Sequence, residues 1–583
     1  MAAEAEARRW SLVGTYLVLT LVVWGLFAVD RGLWQDDVAI LAVVQTQTSA
    51  SALGVFAPIV APTRRLLGLP FALALATPQP VLALQLLYGA TWLGVGLAMY
   101  WLGRLLAPGR REVAYLAGAL TLCATGDFLT DSPVALGYDV STLAFVMALC
   151  HLLRWLRGGG GYWLIGSAVL VTGALWTMEA VLPSVVLAPL LLWAAREGAP
   201  RRRWAIGTLV WFALLAPFLA TLIPFLVDRH SYAATAFVPL RLPERLQRTA
   251  GLFANNFTPW RWAFRPVWFP RPEPVIPLAI RVPASALGTA AFLWSARHLP
   301  WATPTSMRPK SAPRVLAGIS LLMALASNAT AASLQLSDIF YRTQVVSRVW
   351  TSLFLALASS EAVGWLGRRH RLVGLLLPST FVVFGLAGGL ERQDFFLASW
   401  RQHRVELASI LEEAPSMQPD AWLVLYTPPV AAFLATEAPY LARCWAVVLY
   451  QDPSMAGRLF LWSPERKTGC RAEERAFRCW EEPEAACVAA GTCDGLTLPY
   501  EKVVLMSYAA AEGRFRLQRQ LPAELLGDRR RSGLGYAPEA MIGRRPVGRF
   551  PHRLLFEPPV LARYLPAFQD QRGPQTLSPP EPR

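Results

Sequence analysis

Long apolar runs nearly free of charge, each with arginine near one end, recur along the chain and set its architecture. The first, WSLVGTYLVLTLVVWGLFAV from Trp10 to Val29, contains no charged residue. A bilayer core about 30 Å thick takes roughly 20 apolar residues to cross as a helix. Further runs of this kind are expected as spans near Leu82 to Leu102, Val113 to Gly126, Val140 to Leu153, Tyr162 to Met178 and Val181 to Ala195. Others follow at Trp204 to Val227, Val282 to Ser295, Val315 to Leu334, Val349 to Leu366 and Leu372 to Leu390. The pattern predicts a mainly α, polytopic membrane protein with about 11 transmembrane helices, give or take one or two because 51–81 and 274–291 read either way. No small-residue cleavage site follows the first run, which therefore reads as a retained helix.

Beyond the last run the pattern shortens. WLVLYTPPVAAFLA, near Trp422, and AVVLYQD, near Ala446, are brief apolar stretches bounded by proline and charge, the signature of buried strands. RQHRVELASILEEA, from Arg401, carries Val405, Leu407, Ile410 and Leu411 at helical spacing. The expected organisation is a membrane domain over 1–390 and a C-terminal extracytoplasmic α/β domain over 391–570. A proline-rich disordered tail over 571–583 closes the chain.

Composition sharpens this picture. Of 583 residues 54% are hydrophobic and 16% charged, against about 25% charged in an ordinary soluble protein. The net charge of +16 does not point to nucleic acid, because the arginines lie in short clusters between apolar runs. Only Lys310, Lys467 and Lys502 are lysines. Basic clusters flank cytoplasmic span ends, so Arg8 and Arg9 put the N-terminus in the cytoplasm. Alternation then places the acidic loops and the tail outside. The chain is expected in the inner (plasma) membrane, with membrane lipids and no nucleic acid as partners.

Cys123 and Cys150 fall within spans, while Cys444, Cys470, Cys479, Cys487 and Cys493 fall in the tail. Pairs Cys470–Cys479 and Cys487–Cys493 are close enough in sequence to bridge small loops, and disulfides persist in oxidising compartments. Zinc is the competing reading, but the spacings lack C-x₂-C. Disulfides are expected, with a pairing that sequence alone leaves open.

Acids and arginines converge on the outer face. The first outer loop, DRGLWQDDVAIL, holds Asp36 and Asp37; the second holds Asp127, Asp131, Tyr138 and Asp139; Glu179 sits at the turn between two spans. SDIFYRTQVVSRVW, before the tenth span, holds Asp338, Arg342 and Arg348. Arginine grips phosphate oxygens with a fork of donors, and a carboxylate takes a proton from an attacking hydroxyl. Each also has a plainer role: an aspartate caps a helix, loop acids are solvated, and interfacial arginines anchor. The long loop with NNFTPWRWAFRPVWF, from Asn255, suits sugar stacking, lipid headgroups or interface anchoring.

On WQDDVAIL after the first span, GYD at Gly137 to Asp139, TMEAVLP at Thr177 to Pro183, and an outer C-terminal domain, the chain resembles the membrane glycosyltransferases of the GT-C superfamily. These include protein O-mannosyltransferases and aminoarabinose transferases. The resemblance implies a polyprenyl-phosphate-linked sugar donor, a hydroxyl acceptor on lipid, glycan or protein, and inversion at the anomeric carbon. It implies an acid of the first outer loop as base. Relatives carry Asp-Glu or Asp-Asp there, which favours Asp36, with Asp37 orienting the acceptor. Substrate binding is then expected of Asp127, Tyr138, Asp139, Glu179, Arg342 and Arg348. No metal and no cofactor are expected. A transporter or flippase of lipid-linked glycans is the alternative. It would place ionisable groups near mid-span, where only Glu361 and Arg281 stand out.

Overall fold

The apolar runs fold as helices because a backbone in lipid has to satisfy its own hydrogen bonds. The computed structural model describes residues 2–33, 36–46, 62–124, 135–195, 200–228, 240–263, 274–299, 312–333, 344–366, 371–427, 439–462, 469–480, 496–521 and 535–557. In chain order the helices are α1 (Ala2–Thr20), α2 (Asp36–Thr46), α3 (Leu69–Leu75), α4 (Pro80–Leu106), α5 (Arg111–Cys123), α6 (Leu136–Leu156), α7 (Gly161–Thr177) and α8 (Leu182–Ala194). They continue with α9 (Arg201–Val227), α10 (Leu242–Phe257), α11 (Pro259–Trp262), α12 (Leu278–Arg297), α13 (Ala312–Ala331), α14 (Val345–Leu366), α15 (Arg371–Glu413) and α16 (Pro439–Tyr450).

Each expected span falls on a helix. Among the described residues, seven helices are long and apolar enough to cross a bilayer, or up to eight if a bent pair counts as one span. That pair is α7 with the segment Glu179–Ala194, bent by 117° at Met178. Two of the expected spans, on α5 and α14, are not among these helices. α5 has 13 residues, about 20 Å at 1.5 Å per residue, and α14 carries both Arg348 and Glu361.

The chain divides into two compact units. The first comprises Met1–Ala28, Val55–Trp268 and Ile276–Phe395. Its centre packs α4 against α5 and α6, α5 against α14, and α13 against α14. Buried polar side chains there reach helix carbonyls instead of water. Tyr16 Oη donates to Tyr115 O at 2.9 Å, Tyr115 Oη to Phe292 O at 2.8 Å, and Trp211 Nε1 to Val185 O at 2.9 Å. Gly385 and Gly389 stand one turn apart on α15, where a Cβ would come within 2.0 Å of Cys123 O and 2.7 Å of Val23 O. Only glycine lets these backbones approach so closely, as in small-residue packing of membrane helices. Leu209, Val227, Leu278 and Val282, on α9 and α12, are exposed, as lipid-facing residues are.

The second unit comprises Val29–Gly54, Phe269–Val275 and Phe396–Arg583. Its strands are β1 (Trp422–Tyr426), β2 (Leu459–Trp462), β3 (Gly469–Ala472), β4 (Ala476–Trp480), β5 (Leu496–Pro499), β6 (Val503–Ala509) and β7 (Arg514–Leu517). A four-stranded sheet runs β2-β1-β6-β7, parallel except for β7, and a three-stranded antiparallel sheet runs β3-β4-β5. Val424, Phe460, Phe477, Leu498 and Leu505 form one core shared by both sheets. Burial, with Glu406 3.4 Å away, pushes the Tyr508 phenol above its ordinary range.

Of the stretch near Trp422, Trp422–Tyr426 is a strand as expected and 428–435 lie outside the described residues, but AVVLYQD is not a strand. Its apolar part belongs to α16, the helix joining β1 to β2. Parallel neighbours need such a crossover. A short apolar run fits strand and buried helix equally well by period. The last expected span and the expected helix from Arg401 are one continuous helix of 43 residues, α15. Cys470 and Cys479 face each other across β3 and β4 and are bridged. Cys487 and Cys493 lie outside the described residues.

Candidate active site

Asp139 occupies the first turn of α6 and is wholly buried. An acid there complements the positive end of the helix dipole. Its neighbour Tyr138 is also buried, and the Tyr138 carbonyl accepts from Ser141 Oγ at 2.9 Å and Thr142 Oγ1 at 2.7 Å. Arg348 lies in the first turn of α14, where a cation opposes the dipole. Its side chain compensates by reaching the carbonyl end of α5: Nη1 donates to Ala124 O at 3.0 Å. Ser347, beside it, accepts from Asn256 Nδ2 of α10 at 2.9 Å. Trp350, on the next turn, donates to Ser184 Oγ of α8 at 2.7 Å. Three helices thus hold the start of α14.

Asp139 and Arg348 line one small cavity with Trp92, Val95, Thr121, Ala124, Val345 and Val349. Its volume is about 10 Å³, space for roughly one water molecule. Trp92 is fixed by its own Nε1, which donates to Leu122 O at 3.1 Å. A carboxylate accepts and a guanidinium donates, so this cavity suits a group that does both, a hydroxyl or a water.

Glu179 stands in the short 3-10 turn Glu179–Val181 at the bend between α7 and α8. Arg64 Nε contacts its two carboxylate oxygens at 3.1 and 3.0 Å, and Arg64 Nη2 also bonds Oε1. The 62–68 segment is pinned there further: Leu66 N donates to Trp176 O at 3.0 Å, and the Arg65 guanidinium lies 4.7 Å from the Trp176 ring centre. A methyl placed on Gly137 would meet Leu67 and Met178. The GYD and TMEAVLP stretches, far apart in sequence, therefore meet across this segment.

Asp36 and Asp37 open α2. Both stand in its first turn, and α2 packs against α16 within the second unit. Asp37 is wholly buried. The preceding residues are held by aromatic packing: Gly32 lies against the Trp400 ring, which stacks on Trp445 at 6.3 Å. Asp127, Asp131 and Arg342 lie outside the described residues.

The structure thus brings together Asp139 with Arg348, and Tyr138 with the neighbourhood of Glu179, all in the first unit. Asp36 and Asp37 belong to the second. The sequence reading missed Arg64, the partner of Glu179, and Trp92 and Thr121, which wall the cavity. Arg64 stands in PTRR, inside the stretch whose hydropathy reads either way; a charged pair in an apolar stretch was the available signal.

No protein-family model matches the chain, and no curated protein matches it in sequence. Among solved structures, the chain is similar to ArnT from Cupriavidus metallidurans bound to undecaprenyl phosphate. The similarity has 13% sequence identity and a TM-score of 0.39, and covers 78% of this chain and 86% of that one.

Proposed function

We propose that the chain is an inverting membrane glycosyltransferase of the GT-C type. It moves a sugar from a polyprenyl-phosphate donor to a hydroxyl on lipid, glycan or protein. The reaction takes place at the outer face of the inner membrane, with the N-terminus inside, the C-terminal domain outside and about 11 crossings. The observation that carries this reading is the shared cavity of Asp139 and Arg348, two residues singled out from separate outer loops. It sets a carboxylate and a guanidinium beside one small space.

In this reading Asp36 is the general base and Asp37 orients the acceptor, as WQDDVAIL implies. Asp127, Tyr138, Asp139 and Glu179 bind substrate. The two arginines divide their work. A phosphate oxygen in the cavity would meet the Asp139 carboxylate as well as Arg348, so the donor phosphate is assigned to Arg342. Arg348 is assigned to a hydroxyl and to holding α14 against α5. The bridged Cys470–Cys479 hairpin accords with an oxidising outer compartment.

Transport of a lipid-linked glycan would need ionisable groups at mid-span. Arg281 instead sits in the first turn of α12 and pairs with Asp394 at 2.6 Å. Glu361 lies in the last two turns of α14 and pairs with Arg110. Neither observation favours transport. The test is to purify the protein from membranes, extract the lipid it carries, and measure sugar transfer from that lipid. A polyprenyl-phosphate sugar and its consumption support the reading. A bound glycolipid that is moved across vesicles without bond cleavage would replace it with transport.

A further inference from the structure

A second site stands apart from the residues assigned above, on the connection between α9 and α12. α10 presents Glu244, Gln247, Arg248, Gly251 and Asn255 at helical spacing along one face, and Arg261 of α11 closes the other side. Between them lies a cleft of about 520 Å³, within the roughly 300–1,000 Å³ range of small-ligand sites. The C-terminal half of α10 is anchored, with Leu252 buried against Ala331 and Ala332 and Asn256 bonded to Ser347. Its N-terminal half projects, leaving Leu242 69% and Leu246 60% exposed, and Trp260 of α11 is 64% exposed.

Charge and position select the ligand. Residues 240–263 carry four arginines (Arg241, Arg245, Arg248, Arg261) against one acid, Glu244. The segment begins and ends within about fifteen residues of two apolar, bilayer-length helices, α9 and α12, so it stays close to the membrane surface. A helix with arginines beside exposed leucines lies in the headgroup layer, and tryptophan favours that depth. We infer that the α10–α11 cleft binds the headgroup of an anionic phospholipid. Arg248 and Arg261 contact the phosphodiester, Asn255 and Gln247 the polar headgroup, and Leu242, Leu246 and Trp260 the first acyl carbons. This inference does not rest on the glycosyltransferase reading.

The test uses the full-length protein in nanodiscs, with retention of phosphatidylglycerol and phosphatidylcholine measured by native mass spectrometry. Two variants separate the cleft from general surface charge. Arg248→Gln with Arg261→Gln removes the cations. Gly251→Leu fills the cleft and keeps every charge, because no atom lies within 4 Å of an added Cβ at that position. The parent should retain phosphatidylglycerol over phosphatidylcholine; the double arginine variant should weaken that retention about tenfold, the scale of a charge-assisted contact, and Gly251→Leu should weaken it by blocking access. An excess of inorganic phosphate should not displace the lipid. Equal retention of the two lipids, parent-like retention by either variant, or displacement by phosphate alone would overturn the assignment; the last would mark a soluble-phosphate site.

Discussion

Asp139 and Arg348, in the first turns of two different helices, line the same buried cavity. Arg348 is fixed there by its bond to Ala124 O, so one side chain both closes the helix packing and faces the cavity. Removing it should act on both.

Arg348→Ala leaves the carbonyl of Ala124 without this donor in a buried place. Orphaning a buried acceptor costs about 1–3 kcal/mol, and the thermal midpoint in detergent should fall accordingly. Arg342→Ala should leave the midpoint unchanged and raise the KM for the lipid donor about tenfold or more. Parent-like donor dependence in Arg342→Ala would remove that residue from the phosphate site.

The acid pair at the start of α2 has two readings that one substitution separates. Asp36→Asn keeps the shape and a helix-start hydrogen-bonding group but removes the base. General-base help is typically worth about 10² to 10⁴ in rate, whereas a lost cap costs only about 1 kcal/mol of stability. The proposal expects Asp36→Asn to be folded and inactive and Asp37→Asn to be milder. Parent-rate transfer by both variants would make the pair structural.

Arg64 and Glu179 tie the 62–68 segment to the bend between α7 and α8. The pair is part-buried, with side chains 17% and 29% exposed, so solvent screens some of its attraction. Arg64→Ala should cost about 1–2 kcal/mol. The double variant with Glu179→Ala should be less unstable than the sum of the two single changes. Strict additivity in a double-mutant cycle would show that the contact contributes no coupling.

The Cys470–Cys479 bridge closes a hairpin across β3 and β4. For so short a loop, removing it should cost about 2–3 kcal/mol in a chain-entropy estimate. Cys470→Ser should therefore loosen the three-stranded sheet and expose 469–480 to protease. Non-reducing peptide mapping should recover the bridged pair from membrane-extracted protein; free thiols at both positions would contradict it and the outer placement of the tail.

Local pattern carried a large share of this fold. Apolar runs of spanning length determine helix, because no other backbone arrangement hides its polar groups in lipid within a single segment. The first residues of the stretch at Trp422 are legible as a strand, and tail disulfides are legible as such, whereas the pairing of Cys470 with Cys479 across a hairpin came from the structure. AVVLYQD was misread as a strand because a few apolar residues hold no period; the helix that contains it is set by the crossover between parallel β1 and β2. Tertiary structure alone decided the rest. That α2 packs on α16 in the second unit, that Arg64 holds Glu179, and that Asp139 shares a cavity with Arg348 depend on contacts between segments far apart in the chain. Hydropathy reports where each segment is buried, whereas the partner it is buried against is chosen by shape, by glycine-permitted approach at Gly385 and Gly389, and by the need of each buried polar group to find its own acceptor or donor.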